Sequence, residues 1–111
     1  MSSSSEFLAA RDYLLAHRSE YDVALRGFSW PQMDRFNWAL DYFDVMASEN
    51  TRPALVIVEE DGEQLTRTFA ELACRSNQTA NFLRALGVRR GDHLLVMLGN
   101  QTELWDVLLA A

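Results

Sequence analysis

The chain has 111 residues, of which 49% are hydrophobic and 11% aromatic, so general disorder is excluded. That length suits one small domain or a piece of a larger one. The net charge of −6 argues against a nucleic-acid partner, which needs a basic surface for its phosphates.

Apolar runs such as Ala54–Val58 and Leu94–Leu98 reach five residues, against about 20 for a membrane span. The first residues, MSSSSEFLAARDYLLAHRSE, have no basic stretch before the apolar ones, so no signal peptide is expected. All ten basic residues are arginine. Schiff-base, phosphate-binding and acylated lysines are therefore excluded from this chain. The single cysteine, Cys74, cannot close an internal disulfide and points to a reducing cytoplasm.

Ser2–Ser5 are expected to fray. Phe7, Leu8, Leu14 and Leu15 predict a helix from Glu6 to about His17, with Ser3 and Glu6 at capping-box spacing. A second short helix follows Ser19, a candidate N-cap, and ends near Gly27. GFSWPQMDRF reads as an extended linker, since Pro31 drives Trp30 out of the helical region. Its rings Phe28, Trp30 and Phe36 either lie pinned on a larger surface or fill a local mini-core. NWALDYFDVMASEN predicts a helix capped by Asn37, with Asp41 in the first turn. Its apolar face is Trp38, Ala39, Tyr42, Phe43 and Met46.

ALVIVEEDGEQLTRT predicts a hairpin around Asp61-Gly62. The acidic cluster Glu59, Glu60, Asp61 and Glu63 at its tip reads as a solvated turn rather than a cation site. Thr68 and Glu71 form a capping box for a helix that buries Phe69, Leu72, Ala73, Ser76, Ala80 and Leu83. Asn77, Gln78, Asn81 and Arg84 face outward, and Gly87 stops the helix. After the VRRGD turn, HLLVML predicts a strand apolar on both faces, the kind covered in parallel sheets. Asn100 and Glu103 repeat the capping spacing and start a last helix. Seven of its final eight residues, Leu104–Ala111, are apolar, the exception being Asp106. Such a helix belongs under more protein. The fold class is therefore α/β and incomplete: a helical arm, a β-hairpin and the first strand–helix units of a larger layer.

No residue is assigned to catalysis, cofactor binding or metal. The five glycines, Gly27, Gly62, Gly87, Gly91 and Gly99, form neither a dinucleotide fingerprint nor a P-loop. His17 and His93 have no Cys or His at ligand spacing. Cys74 has no neighbouring His and reads as a half-buried inert thiol, although the cation of Arg75 adjoins it. Ser19, Ser29, Ser48 and Ser76 lie in no nucleophile elbow. Trp38 and Trp105 read as core residues, and no basic residues interleave with the aromatics as a nucleic-acid platform requires.

Four phrases in order carry a resemblance: FNWALDYFD (36–44), RPALVIVEEDGE (52–63), TFAELACRSNQTANFLRALGVRRGD (68–92) and LLVMLGNQTELWDVLLAA (94–111). Together they resemble the N-terminal part of the AMP-forming acyl-CoA synthetases, most closely the medium-chain or aromatic acid–CoA ligase branch. The resemblance implies residues 1–35 as a helical arm and linker, and 36–111 as the start of the large adenylating domain. It implies ATP, magnesium and coenzyme A for a longer parent that activates a carboxylic acid. The family's Ser/Thr/Gly-rich loop, Tyr-Gly-x-Thr-Glu segment, ribose-binding Asp and C-terminal lysine have no counterpart here, so the chain alone is expected to be inactive. The alternative is an interaction module that docks a protein partner through the exposed helix at 101–111.

Overall fold

A computed structural model describes residues 3–111, with side chains from residue 4. Its elements are α1 (Ser3–Ala16), α2 (Tyr21–Gly27), a π-helical turn (Trp38–Phe43) running into α3 (Asp44–Ala47), β1 (Pro53–Val58), β2 (Gln64–Thr68), α4 (Phe69–Ala85) and α5 (Thr102–Ala110). The chain forms two compact units, one ending at Asp41 and one comprising Tyr42–Ala111. The architecture is mixed α/β, as the sequence predicts.

In the first unit α1 begins three residues earlier than its apolar pattern indicates, so Ser3–Ser5 are helical rather than frayed. Ser2 and the Ser3 side chain lie outside the described residues, and so does the Ser3–Glu6 capping box. The Tyr13 hydroxyl donates to the Val23 carbonyl at 2.9 Å and ties α2 to α1. Gly27 meets the Tyr13 ring so closely that an added Cβ would collide with its hydroxyl. Helix α2 has Glu20 as N-cap residue without a side-chain cap, so Ser19 does not serve as the predicted cap. The linker aromatics form local pairs: Phe28 meets Trp30 edge-on at 5.1 Å, and Phe36 stacks on Phe7 at 5.0 Å. Trp30 nevertheless remains 80% exposed.

Asn37 caps its helix as predicted, its Oδ1 accepting from the Ala39 and Leu40 N–H groups at 2.9 and 3.1 Å. The helix itself differs from expectation, for its first six residues form a π turn. The Asn37 N–H donates to the Asp41 carboxylate at 2.7 Å, four residues on. A capping box spans three. The wider reciprocal closure matches the wider turn.

The second unit holds the buried core. Phe43, Ala47 and Leu72 are buried and packed by Met46, Leu55, Phe69, Ala73 and Leu109. Burial of a side chain such as Phe43 or Leu72 contributes about 1.5–3 kcal/mol. Strands β1 and β2 pair antiparallel with Val56 opposite Thr66 and Ile57 opposite Leu65, and the register slips between Pro53 and Leu55. Gly62 takes φ +88° in the turn, and the Glu63 N–H donates to Asp61 Oδ1 at 3.0 Å. The expected Asp61-Gly62 hairpin is present.

Helix α4 has both predicted ends. The Glu71 N–H donates to Thr68 Oγ1 at 3.2 Å, and the Thr68 N–H donates to Glu71 Oε2 at 2.8 Å. At the other end Gly87 has φ +96°. Its N–H donates to Arg84 and that of Val88 to Leu83, each at 3.1 Å. That pair of bonds is a Schellman motif, which favours glycine at the left-handed position.

The predicted strand at His93–Leu98 is not formed. The sheet contains β1 and β2 alone among the described residues, and residues 93–98 lie outside it. Leu95 is 98% and Met97 94% exposed. A strand requires a hydrogen-bonded neighbour, and none lies alongside this segment. The predicted Asn100 cap also fails: Gln101 is the N-cap residue of α5, with no side-chain bond.

Candidate functional site

The chemistry-bearing residues named from the sequence do not converge. In the first unit His17 Nδ1 lies 3.0 Å from Glu20 Oε2 and its ring rests on Tyr13. His93 is exposed in the second unit. Glu59, Glu60, Asp61 and Glu63 are exposed on the hairpin turn. Among the described residues no group of three or more His, Cys, Asp or Glu could hold a metal ion.

Cys74 is exposed rather than half-buried, because it lies off the α4 face that packs inward. Its sulfur accepts a weak bond from Gln78 Nε2 at 3.7 Å. The neighbouring Arg75 guanidinium turns to Asp106 instead. Ser76 is buried and donates to the Ala73 carbonyl at 3.0 Å, so its hydroxyl is used within the helix. Ser19, Ser29 and Ser48 are exposed. Trp38 and Trp105 are 45% and 41% exposed, not core residues.

The densest polar arrangement is the junction of α4 and α5, which sequence reasoning missed. Ser76, Thr102 and Asp106 are the buried polar residues there. Asp106 Oδ2 accepts from Arg75 Nε at 3.3 Å. Its other oxygen, Oδ1, is buried without a hydrogen-bond partner. The signal available was Asp106 itself, the one charge in an apolar run. Its partner lies 31 residues away, beyond any local spacing rule. The pair bridges α4 and α5. It includes no nucleophile and no phosphate cradle.

Glu71 has a displaced acidity. The Glu71 carboxyl is held below the usual carboxylate range, first by the Thr68 backbone N–H, then by the Thr68 hydroxyl, with the Arg67 cation adding a smaller effect. Its cause is the helix cap, a structural role.

The sequence profile of the family described as "AMP-binding enzyme" matches residues 43–111. Among curated relatives, the mitochondrial acyl-coenzyme A synthetase ACSM2 of Rattus norvegicus is 40% identical over 82 residues, covering 68% of this chain and 14% of the relative. The acetyl-coenzyme A synthetase of Thiobacillus denitrificans is 36% identical over 58 residues, covering 52% of this chain and 9% of that protein. The 4-hydroxybutyrate–CoA ligase 1 of Metallosphaera sedula is 29% identical over 79 residues, covering 68% and 14%. No solved structure matches. The chain thus spans about one seventh of the length of the ACSM2 relative (14%).

Proposed function

We propose, because this chain belongs to the AMP-binding enzyme family, that it is the opening segment of an acid–CoA ligase of the medium-chain or aromatic branch. In the reaction proposed for the parent, a carboxylate oxygen attacks the α-phosphorus of ATP and pyrophosphate leaves. The coenzyme A thiol then attacks the acyl carbonyl, forming the thioester, and AMP leaves with the carboxylate oxygen. Neutralising the charge around phosphorus is the demanding step. Neither that step nor the second is assigned to a residue of this chain.

The observation that carries the reading is the match over residues 43–111, joined to relatives that are acyl-CoA synthetases by name. It contains the capped helix α4 and its Schellman stop. We assign residues 1–35 to an N-terminal arm and 36–111 to the start of the adenylating domain. ATP, magnesium and coenzyme A belong to the parent. A single free thiol suits the cytoplasm.

A second reading is favoured by α5, where Trp105 and Leu108 are 41% and 58% exposed. There the chain acts without catalysis and docks a protein partner through that helix. The test is acid-dependent AMP release by the longer parent proposed here, given ATP, coenzyme A and a series of fatty and aromatic acids. Release that needs both acid and ATP supports the ligase. Its absence with every acid, from a folded product, overturns it.

A further inference from the structure

On a chain of net charge −6, three of the ten arginines fall within residues 84–90. The end of α4 and the turn that follows it border a cavity of about 820 Å³, lined by the guanidinium-bearing residues Arg84, Arg89 and Arg90. Among the described residues none of the three is ion-paired, the bridges present being Arg11–Asp12, His17–Glu20 and Arg75–Asp106. Arg89 is anchored, its Nη1 donating to the Val88 carbonyl at 3.0 Å and the Arg84 carbonyl at 3.3 Å. Asp92 also lines the cavity, but its Oδ2 accepts from the Arg89 N–H at 2.7 Å and is used in the turn. Three guanidiniums, one of them already donating to two carbonyls, thus outnumber the one aspartate in a lining that also includes Ala110 and Ala111. Leu83, Val88 and Leu94 add apolar wall.

We propose that this cavity binds a phosphorylated small molecule through Arg84, Arg89 and Arg90. One guanidinium satisfies a carboxylate with two parallel bonds, whereas several guanidiniums suit the multiple oxygens and higher charge of phosphoryl groups. The apolar wall takes the part of the ligand beyond the phosphate. Sequence reading passed over the site, because its arginines come from a helix end and a turn and share no periodicity.

The test is titration of the full chain with inorganic pyrophosphate by calorimetry. Arg90→Gln is the main variant, because Arg90 is an exposed turn residue. Arg67→Gln on β2 is the control of equal charge change. Circular dichroism checks that α4 is retained in both. Arg90→Gln should weaken binding about tenfold, the loss expected for one charge-assisted bond, with Arg67→Gln close to the wild-type chain. Phosphatidylcholine vesicles with and without phosphatidic acid distinguish a lipid headgroup from a free phosphate compound. Binding to the acidic vesicles that Arg90→Gln reduces also supports the site. Equal losses with Arg67→Gln, or no binding of pyrophosphate or acidic vesicles by the wild-type chain, overturn it.

Discussion

Arg75→Met tests the junction of α4 and α5. The Asp106 side chain is 5% exposed and that of Arg75 is 53% exposed, with a single contact of 3.3 Å between them. Breaking a fully buried pair costs about 3–5 kcal/mol, because the remaining charge is left without a partner. Here the guanidinium is half in water, so its attraction is partly screened. The expected cost falls to about 1–3 kcal/mol. Methionine keeps most of the apolar stem, so the loss reports charge rather than packing. In an Asp106→Leu background no buried carboxylate remains, and the same Arg75→Met change should then cost less than about 0.5 kcal/mol. Urea unfolding followed by tryptophan fluorescence gives the four stabilities of this cycle. The reasoning is refuted if Arg75→Met costs the same in both backgrounds.

Leu72→Ala, which opens a cavity beside Phe43 and Ala47, should cost about 2–5 kcal/mol in the same assay. Gly87→Ala places a Cβ at φ +96° and should cost about 1–2 kcal/mol, read from the urea midpoint. Glu71 gives a pH prediction. Its folded acidity lies below the unfolded one, so its contribution is complete above the unfolded value and is lost as pH falls through the folded value. Stability measured against pH should therefore decline on the acid side of the ordinary glutamate range, and Glu71→Gln should flatten that decline.

Local hydrogen bonding was the legible part of this fold. Thr68 with Glu71, Asn37 with the N–H groups after it, Asp61-Gly62 and Gly87 each close a structure within a few residues, and each stands where its pattern says. Apolar pattern alone was less informative. Leu94–Leu98 looks like a buried strand, yet a strand is defined by a neighbour, and local sequence cannot supply one. Trp105 matches a core helix by spacing, but the face of α5 that packs inward carries Thr102, Asp106 and Leu109. Asn100 had the right residue type for a cap and stands one position too early, before Gln101. The π turn at Trp38–Phe43 has no pattern distinct from an α-helix start. The Arg75–Asp106 pair was not legible in the sequence, because it joins residues 31 positions apart that only the fold brings together.

The central claim is that this chain contributes scaffold, and that the chemistry of acyl-adenylate formation resides in other parts of the parent. ATP–pyrophosphate exchange by the purified chain, with a panel of fatty and aromatic acids, tests it most directly. The account predicts no acid-dependent exchange above a mock preparation. Exchange that requires a carboxylic acid and disappears on heat denaturation would contradict it.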